Sequence, residues 1–280
     1  MLHTCCAKEE NMSKKIYIFP SDPAVPHTNF LEKIPALFEQ GTLIYNARNQ
    51  IRVAMYQGIE LNIKKFCIPP IFNRILYSIG VRTPKAKTAY ANALKIRECG
   101  SHTPLPYGYI LEKENGLLGH SYFVMQQLDG YQTLRSKDIP KTLIHRTAQY
   151  LSQLYEKGMI HLDLTLNNIL YRQEKEFLFS LVDVNQFYFQ KKPLLPIEVL
   201  PYMIQLFPER KNLLHFITAY AYCRKADTKY CYRTAVQLRS GQTFYSRLKN
   251  YLKKYLERNC FKQNVWTLVP NSALFATIYL

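Results

Sequence analysis

The sequence predicts an α+β protein of two lobes: a small antiparallel β lobe with one main helix, then a larger, mainly helical lobe. Three observations predict this architecture. Short strand-like runs, in which apolar and polar residues alternate, recur through residues 15–128. Apolar residues at helical spacing dominate residues 129–280. The polar, glycine-containing link DGYQTL opens the second region and is typical of a connection between lobes.

The composition excludes several classes of protein. Apolar residues make up 48% of the 280 residues, enough to bury a core. A formal charge of +17 predicts attraction to polyanions such as nucleic acid, anionic lipid head groups or a phosphorylated substrate. The seven cysteines form no C-x-x-C pair, so we expect neither a disulfide framework nor a zinc site. No segment reads as a membrane-spanning helix.

Four short segments predict the first strands of the small lobe. They are KIYIF, GTLIYNA, QIRVAMYQG and ELNIKKF, which begin at residues 15, 41, 50 and 60. Alternation along the last strand places Lys64 and Lys65 on opposite faces. Lys64 matches an x-x-I-K pattern and is the lysine we expect to hold nucleotide phosphates.

Two helices are predicted next, followed by two further strands. Apolar residues at helical spacing in residues 69–81 favour core packing, and contact with an anionic membrane surface is the alternative. The second helix starts at Thr83 and Pro84 and ends at Gly100. Strands at residues 109–112 and 122–128 complete the lobe, and their end places Gln126 and Leu128 at the expected adenine edge.

The most informative stretch follows a predicted helix at residues 141–157. HLDLTLNNIL begins at His161 and places Asp163 two residues after the histidine and Asn168 five residues after the aspartate. LVDVNQF then places Asp183 at the end of an apolar strand. An isolated D-x-x-x-x-N is most often a turn that uses its side chains for backbone hydrogen bonds. The full order and spacing instead indicate the phosphoryl-transfer site of a protein-kinase-like fold.

Phosphoryl transfer requires metal-binding oxygens and a carboxylate beside the attacking hydroxyl. We therefore expect Asp163 to orient the acceptor and take its proton. Asn168 and Asp183 are the expected Mg²⁺ ligands, because Mg²⁺ prefers oxygen donors. We expect His161 to fix the loop through a hydrogen bond to the backbone near Asp183.

The chain resembles the bacterial lipopolysaccharide core sugar kinases, the Kdo and heptose kinase family. Five segments carry the resemblance: IKKF, KAKTAYANALKIRECG, TPLP, HLDLTLNNIL and LVDVNQF, which begin at residues 63, 85, 103, 161 and 181. The resemblance implies ATP and Mg²⁺ as cofactors and a sugar hydroxyl of the lipid A–core glycolipid as acceptor. It also implies a peripheral, cytoplasmic location at the anionic inner-membrane surface, and we expect no nucleic-acid partner.

The chain departs from protein kinases at several positions. It has no G-x-G-x-x-G between the first strands, Leu162 replaces an arginine, and Asn185 replaces a glycine. Protein kinases use that arginine to read a phosphorylated activation loop, so its loss argues against such regulation and against a protein substrate. The helix after Pro84 also lacks the usual glutamate partner of the strand lysine. Glu98 and Asn92 are the two candidates for that role.

The two ends of the chain carry weaker signals. We expect residues 1–14 to be a disordered or mis-annotated N-terminal extension, and Met12 is a candidate for the true start. Residues 243–259 predict a basic amphipathic helix, either a solvated surface helix or a contact with anionic lipid. The role of the tail at 263–280 stays open, as does the oligomeric state.

Two other functions compete with the sugar kinase. One is a small-molecule phosphotransferase of the aminoglycoside-kinase type, which shares the H-x-D and the downstream aspartate. The other is a non-catalytic pseudokinase or basic binding module, which the missing glutamate favours and the presence of Asp163, Asn168 and Asp183 opposes.

Overall fold

The computed structural model describes the backbone of residues 15–17 and then residues 30–134 and 139–241. Three of our predictions therefore lie outside the described residues: the extension at 1–14, the basic helix at 243–259 and the tail at 263–280. The strand predicted at KIYIF is described over Lys15–Tyr17.

Six strands of the first lobe form one antiparallel sheet in the order β1-β5-β6-β4-β3-β2. The elements in chain order are β1 (Lys15–Tyr17), α1 (Phe30–Gln40), β2 (Thr42–Asn46), β3 (Gln50–Tyr56), β4 (Ile59–Phe66), α2 (Ile71–Ser78), α3 (Lys85–Glu98), β5 (Pro106–Glu114) and β6 (Leu117–Gln126). Two-residue turns join β3 to β4 and β5 to β6. Both residues of each turn, Gln57 with Gly58 and Asn115 with Gly116, have positive φ, and such turns match the twist of the paired strands.

The second lobe is mainly helical, with short strands around the connections that carry the motif residues. Its elements are β7 (Gln132–Thr133), α4 (Lys141–Glu156), β8 (Met159–His161), β9 (Ile169–Gln173), β10 (Phe177–Leu181), β11 (Phe187–Phe189), α5 (Leu200–Met203), α6 (Arg210–Cys223) and α7 (228–241). Helix α4 packs against α6 through a buried apolar stripe that includes Ile144, Leu151 and Tyr155. Among the described residues no helix is long and apolar enough to cross a membrane. The lobe boundary that we place between residues 128 and 129 stays a prediction.

Two hydrophobic clusters hold the chain together. The smaller one packs α1 on the sheet through Phe30, Leu31, Ile34 and Phe38. The larger one begins between α3 and the other face of the sheet and continues without a break into the second lobe. The site described below therefore sits on a core that both lobes share.

Two features of the first lobe differ from the sequence analysis. Helix α1 was not predicted, although its four buried residues have helical spacing, because Pro35 lies inside it and prolines usually end helices. The expectation that residues 69–81 pack in the core is wrong. Helix α2 has no buried residue, and the side chains of Ile71 and Ile79 are 61% and 66% exposed.

The packing of α3 gives a stability prediction. Ile96 is fully buried in the shared core, and Glu98 lies exposed two residues further along the same helix. We expect Ile96→Ala to lower the free energy of unfolding by about 2–5 kcal/mol, because it leaves a cavity. Glu98→Ala should change it by less than about 0.5 kcal/mol. Urea denaturation followed by circular dichroism measures both, and equal losses would show that α3 does not bury this face.

Candidate active site

Two connections between strands bring the motif residues together. The segment after β8 contains Asp163 and Asn168, and the segment after β10 contains Asp183. Strand β8 pairs with β11, and β9 pairs with β10, so the two connections lie side by side. Backbone hydrogen bonds from Val182 N to Asn168 O (3.0 Å) and from Leu162 N to Gln186 O (2.9 Å) fasten one connection to the other.

His161 is buried and bonds to both connections. Its Nδ1 accepts a hydrogen bond from the Asp163 backbone N–H (3.2 Å), and its Nε2 lies 3.1 Å from the Val182 carbonyl oxygen. A neutral imidazole protonated on Nε2 satisfies both contacts at once. Burial lowers the pKa of His161, against the opposing effects of the Val182 carbonyl and the carboxylates of Asp183 and Asp163.

Asn168 is oriented by the same loop. Its Nδ2 donates to the backbone carbonyl of Asp163 (2.8 Å). With the amide nitrogen used in this way, the amide Oδ1 is the atom that can bind a cation. The Asp163 side chain is exposed and accessible to an acceptor.

Asp183 joins the two lobes. Its Oδ1 lies 2.5 Å from Lys64 Nζ, and Lys64 is only 6% exposed. The predicted alternation of the lysines is observed, because Lys65 points the other way and pairs with Glu39 on α1 (3.2 Å). Asp183 has a φ of 57°, in the left-handed region that few residues other than glycine, asparagine and aspartate adopt.

The two candidates for the glutamate that usually pairs with the strand lysine make different contacts. Glu98 is exposed and forms no ion pair with Lys64 in the described residues. Asn92 Nδ2 instead donates to the backbone carbonyl of Val184 (2.8 Å). Helix α3 therefore contacts the backbone after Asp183, and the carboxylate that pairs with Lys64 comes from Asp183 itself.

Three contributors to the site were missed by sequence reasoning. Thr103, in the TPLP segment, is buried and its hydroxyl donates to the Leu181 carbonyl (2.7 Å), which holds the strand before Asp183. Lys85 lies in the first turn of α3. Burial and the charge of Arg48 lower the pKa of Lys85, and the charge of Asp183 opposes this shift. Arg48 occupies the turn between β2 and β3, where protein kinases have a glycine-rich phosphate loop.

The predicted adenine-edge residues lie where β6 ends. The Gln126 backbone N–H donates to the Leu105 carbonyl (2.8 Å), so a purine would have to use the carbonyl or side chain of Gln126. Leu128 is half-buried beyond it. Asn62 Nδ2 donates to Gln127 Oε1 (2.8 Å) and ties this connection to β4. Their role in nucleotide binding stays a prediction.

The donor set fits magnesium better than a transition metal. The described residues contain no cluster of three or more His, Cys, Asp or Glu side chains that could enclose a metal. Asp183 and Asn168 offer hard oxygen donors, and Mg²⁺ typically takes one or two protein oxygens and completes its shell with water and substrate phosphates. Asp183 and Asn168 are therefore the residues that would hold it.

Comparison with known proteins finds a matching family and a similar fold. Residues 63–190 match the model of the "Lipopolysaccharide kinase (Kdo/WaaP) family". The resemblance to the lipopolysaccharide kinases is confirmed. The fold is similar to a solved structure titled "WaaP in complex with acyl carrier protein", with a TM-score of 0.53 and 14% identity over 83% of this chain and 98% of that chain. The predicted two-lobed, kinase-like fold is thereby confirmed as well.

Weaker similarity extends to protein kinases. A double mutant of the PknI kinase domain of Mycobacterium tuberculosis aligns with a TM-score of 0.40 and 11% identity, over 70% of this chain and 93% of that chain. No curated protein sequence matches the chain.

The state of His161 gives a prediction about stability and pH. Because its pKa in the folded protein lies below the value of about 6.5 expected when unfolded, the unfolded chain binds more protons below that pH. Stability should therefore fall as pH falls below about 6.5. His161→Gln should make this fall shallower by up to about 1.4 kcal/mol per pH unit, whatever its stability at pH 7.

The measurement is urea denaturation of both proteins between pH 7.5 and pH 5. Parallel pH profiles for the native protein and His161→Gln would contradict the neutral, buried state assigned to His161.

Proposed function

We propose that the protein is an ATP- and Mg²⁺-dependent kinase that phosphorylates a sugar hydroxyl, of Kdo or heptose, on the lipopolysaccharide lipid A–core. One arrangement carries this proposal. Hydrogen bonds join the segments that contain Asp163, Asn168 and Asp183, and Lys64 pairs with Asp183. The family match over residues 63–190 supports phosphotransferase activity.

In the proposed reaction the acceptor hydroxyl oxygen attacks the γ-phosphorus of ATP and the bond to the ADP oxygen breaks. Asp163 orients that hydroxyl and accepts its proton. Lys64 neutralises phosphate charge. To do so, its ammonium group must bind the phosphates either together with Asp183 or in place of Asp183. Mg²⁺ bound by Asp183 and Asn168 would supply further neutralisation of the phosphates. His161 keeps the two connections in register and takes no part in proton transfer.

A sugar acceptor is favoured over a protein by two observations. The backbone of Leu162 bonds to Gln186, but its side chain is an exposed apolar group that cannot read a phosphorylated activation loop. The matching family is named for lipopolysaccharide kinases. We infer that the substrate is a glycolipid presented at the cytoplasmic face of the inner membrane, where the +17 charge favours an anionic surface.

The first test uses lipid A–core from a strain that lacks the gene. We expect the native protein with ATP and Mg²⁺ to add one phosphate, detected by mass spectrometry and placed by fragmentation on Kdo or heptose. Asp163→Asn and Asn168→Ala should each lower kcat by at least about 100-fold. Asn167→Ala is the matched control, because it changes the neighbouring exposed asparagine and should leave kcat near the native value.

The outcomes separate the competing functions. Phosphorylation of an aminoglycoside but not of lipid A–core would favour a small-molecule phosphotransferase. No transfer to any acceptor, with ATP binding absent, would favour a pseudokinase. A native rate in Asp163→Asn would contradict the assignment of the base.

The two adjacent lysines give a second test. Lys64→Met should raise the KM for ATP and lower kcat, because it removes the buried cation beside Asp183. Lys65→Met removes a lysine of the same strand that pairs with Glu39 on the opposite face, so its kinetics should stay within about threefold of native. Steady-state kinetics with varied ATP measure both, and thermal denaturation checks that each is folded. Equal effects of the two substitutions on KM and kcat would show that the face of β4 on which a lysine lies does not decide which lysine binds the phosphates.

A further inference from the structure

Helix α2 presents its apolar side chains to solvent. Ile71, Phe72, Ile75 and Ile79 lie within an arc of roughly 100° at 100° per residue, and all four are exposed. Val81, just beyond the helix, is 69% exposed and extends the same surface. A continuous apolar surface of this kind is uncommon on a soluble protein and indicates a contact site.

Polar side chains fix the other side of α2 to the sheet. Arg74 Nε donates to the Leu118 carbonyl (2.6 Å), and its guanidinium reaches Glu114 on β5 (3.4 Å). The Ser78 hydroxyl accepts from the Leu118 backbone N–H (2.8 Å) and donates to the Arg74 carbonyl (2.7 Å). Turning the apolar side inward would break these bonds, so the helix is held with its polar side towards the protein.

The charge of the segment that carries α2 favours an anionic partner, with Glu114 of β5 pairing with Arg74 on the side of the helix that faces the protein. Residues 67–97 contain no acidic residue. The basic residues of this segment are Arg74, Arg82, Lys85, Lys87, Lys95 and Arg97. Arg82 is exposed at the end of the apolar surface, where Asn73 accepts a hydrogen bond from it (2.9 Å). A convex apolar helix with basic neighbours matches the interface of an anionic bilayer, into which such helices bury their apolar side.

We propose that residues 68–82, the α2 surface, dock the protein on an anionic lipid bilayer. The position of this surface suits the proposed function, on which the following consequence rests. Helix α2 lies in the chain directly between β4, which carries Lys64, and α3, which carries Lys85 and Asn92. Docking through α2 would therefore hold the lobe that carries Lys64 on the membrane in which the glycolipid is embedded.

The test compares vesicle binding of the full-length native protein with that of Ile71→Ser/Phe72→Ser/Ile79→Ser. The vesicles contain phosphatidylglycerol with phosphatidylethanolamine, or phosphatidylcholine alone. We expect the native protein to prefer the anionic vesicles, and the triple variant to bind them at least about tenfold more weakly. The control is Leu214→Ser/Tyr222→Ser on α6, which also removes exposed apolar side chains and should bind as the native protein does.

Other outcomes would overturn the proposal. Unchanged binding of the triple variant would place the membrane contact elsewhere, for example in residues 243–259. Equal binding to both kinds of vesicle would exclude the anionic preference. A native protein that is dimeric in light scattering, and becomes monomeric in the triple variant without a change in vesicle binding, would assign α2 to contact between copies.

Kinase assays keep this proposal separate from the proposed function. With a deacylated, water-soluble acceptor and no vesicles, the triple variant should retain the native rate. With the acceptor embedded in vesicles, its rate should fall with its binding. If no acceptor is phosphorylated by the native protein, the proposed function fails, and the vesicle measurements still decide whether α2 docks to lipid.

Discussion

The arrangement of the site depends on one buried imidazole. His161 accepts from the backbone of Asp163 and donates to the backbone of Val182, so it links the connection that carries Asp163 to the connection that carries Asp183. Both bonds form only when the ring is neutral and protonated on Nε2, a state that burial favours. The spacing of the motif follows from this constraint, since the histidine must end a strand just before Asp163.

The strand and turn around Asp183 lie in the second lobe and are held by residues of the first lobe. Thr103 and the His102 carbonyl bind Leu181 from the segment before β5, and Asn92 binds Val184 from α3. Lys64 reaches the Asp183 side chain from β4. A kinase-like fold normally uses an ion pair between the strand lysine and the helix to place that helix. Here a hydrogen bond from the Asn92 side-chain amide to the Val184 backbone carbonyl connects the helix, and the lysine is paired with Asp183.

Sequence reasoning succeeded where local periodicity decides the structure. Alternation along β4 was enough to separate Lys64 from Lys65. The order of helix, turn and strands was enough to place the connections that carry Asp163 and Asp183 side by side. It failed for α2, because periodicity identifies which side of a helix is apolar and says nothing about which way that side faces. It could not find the partner of Lys64 either, since Asp183 is 119 residues away and the pairing depends on how the two lobes meet.

The shared core has a consequence for how the protein comes apart. The larger hydrophobic cluster is continuous from Tyr90 and Phe123 in the first lobe to Ile144 and Phe216 in the second. Opening the lobes fully would expose that cluster to water, at a cost of roughly 25 cal/mol for each square ångström of apolar surface. We therefore expect the described part of the chain to unfold as one cooperative unit.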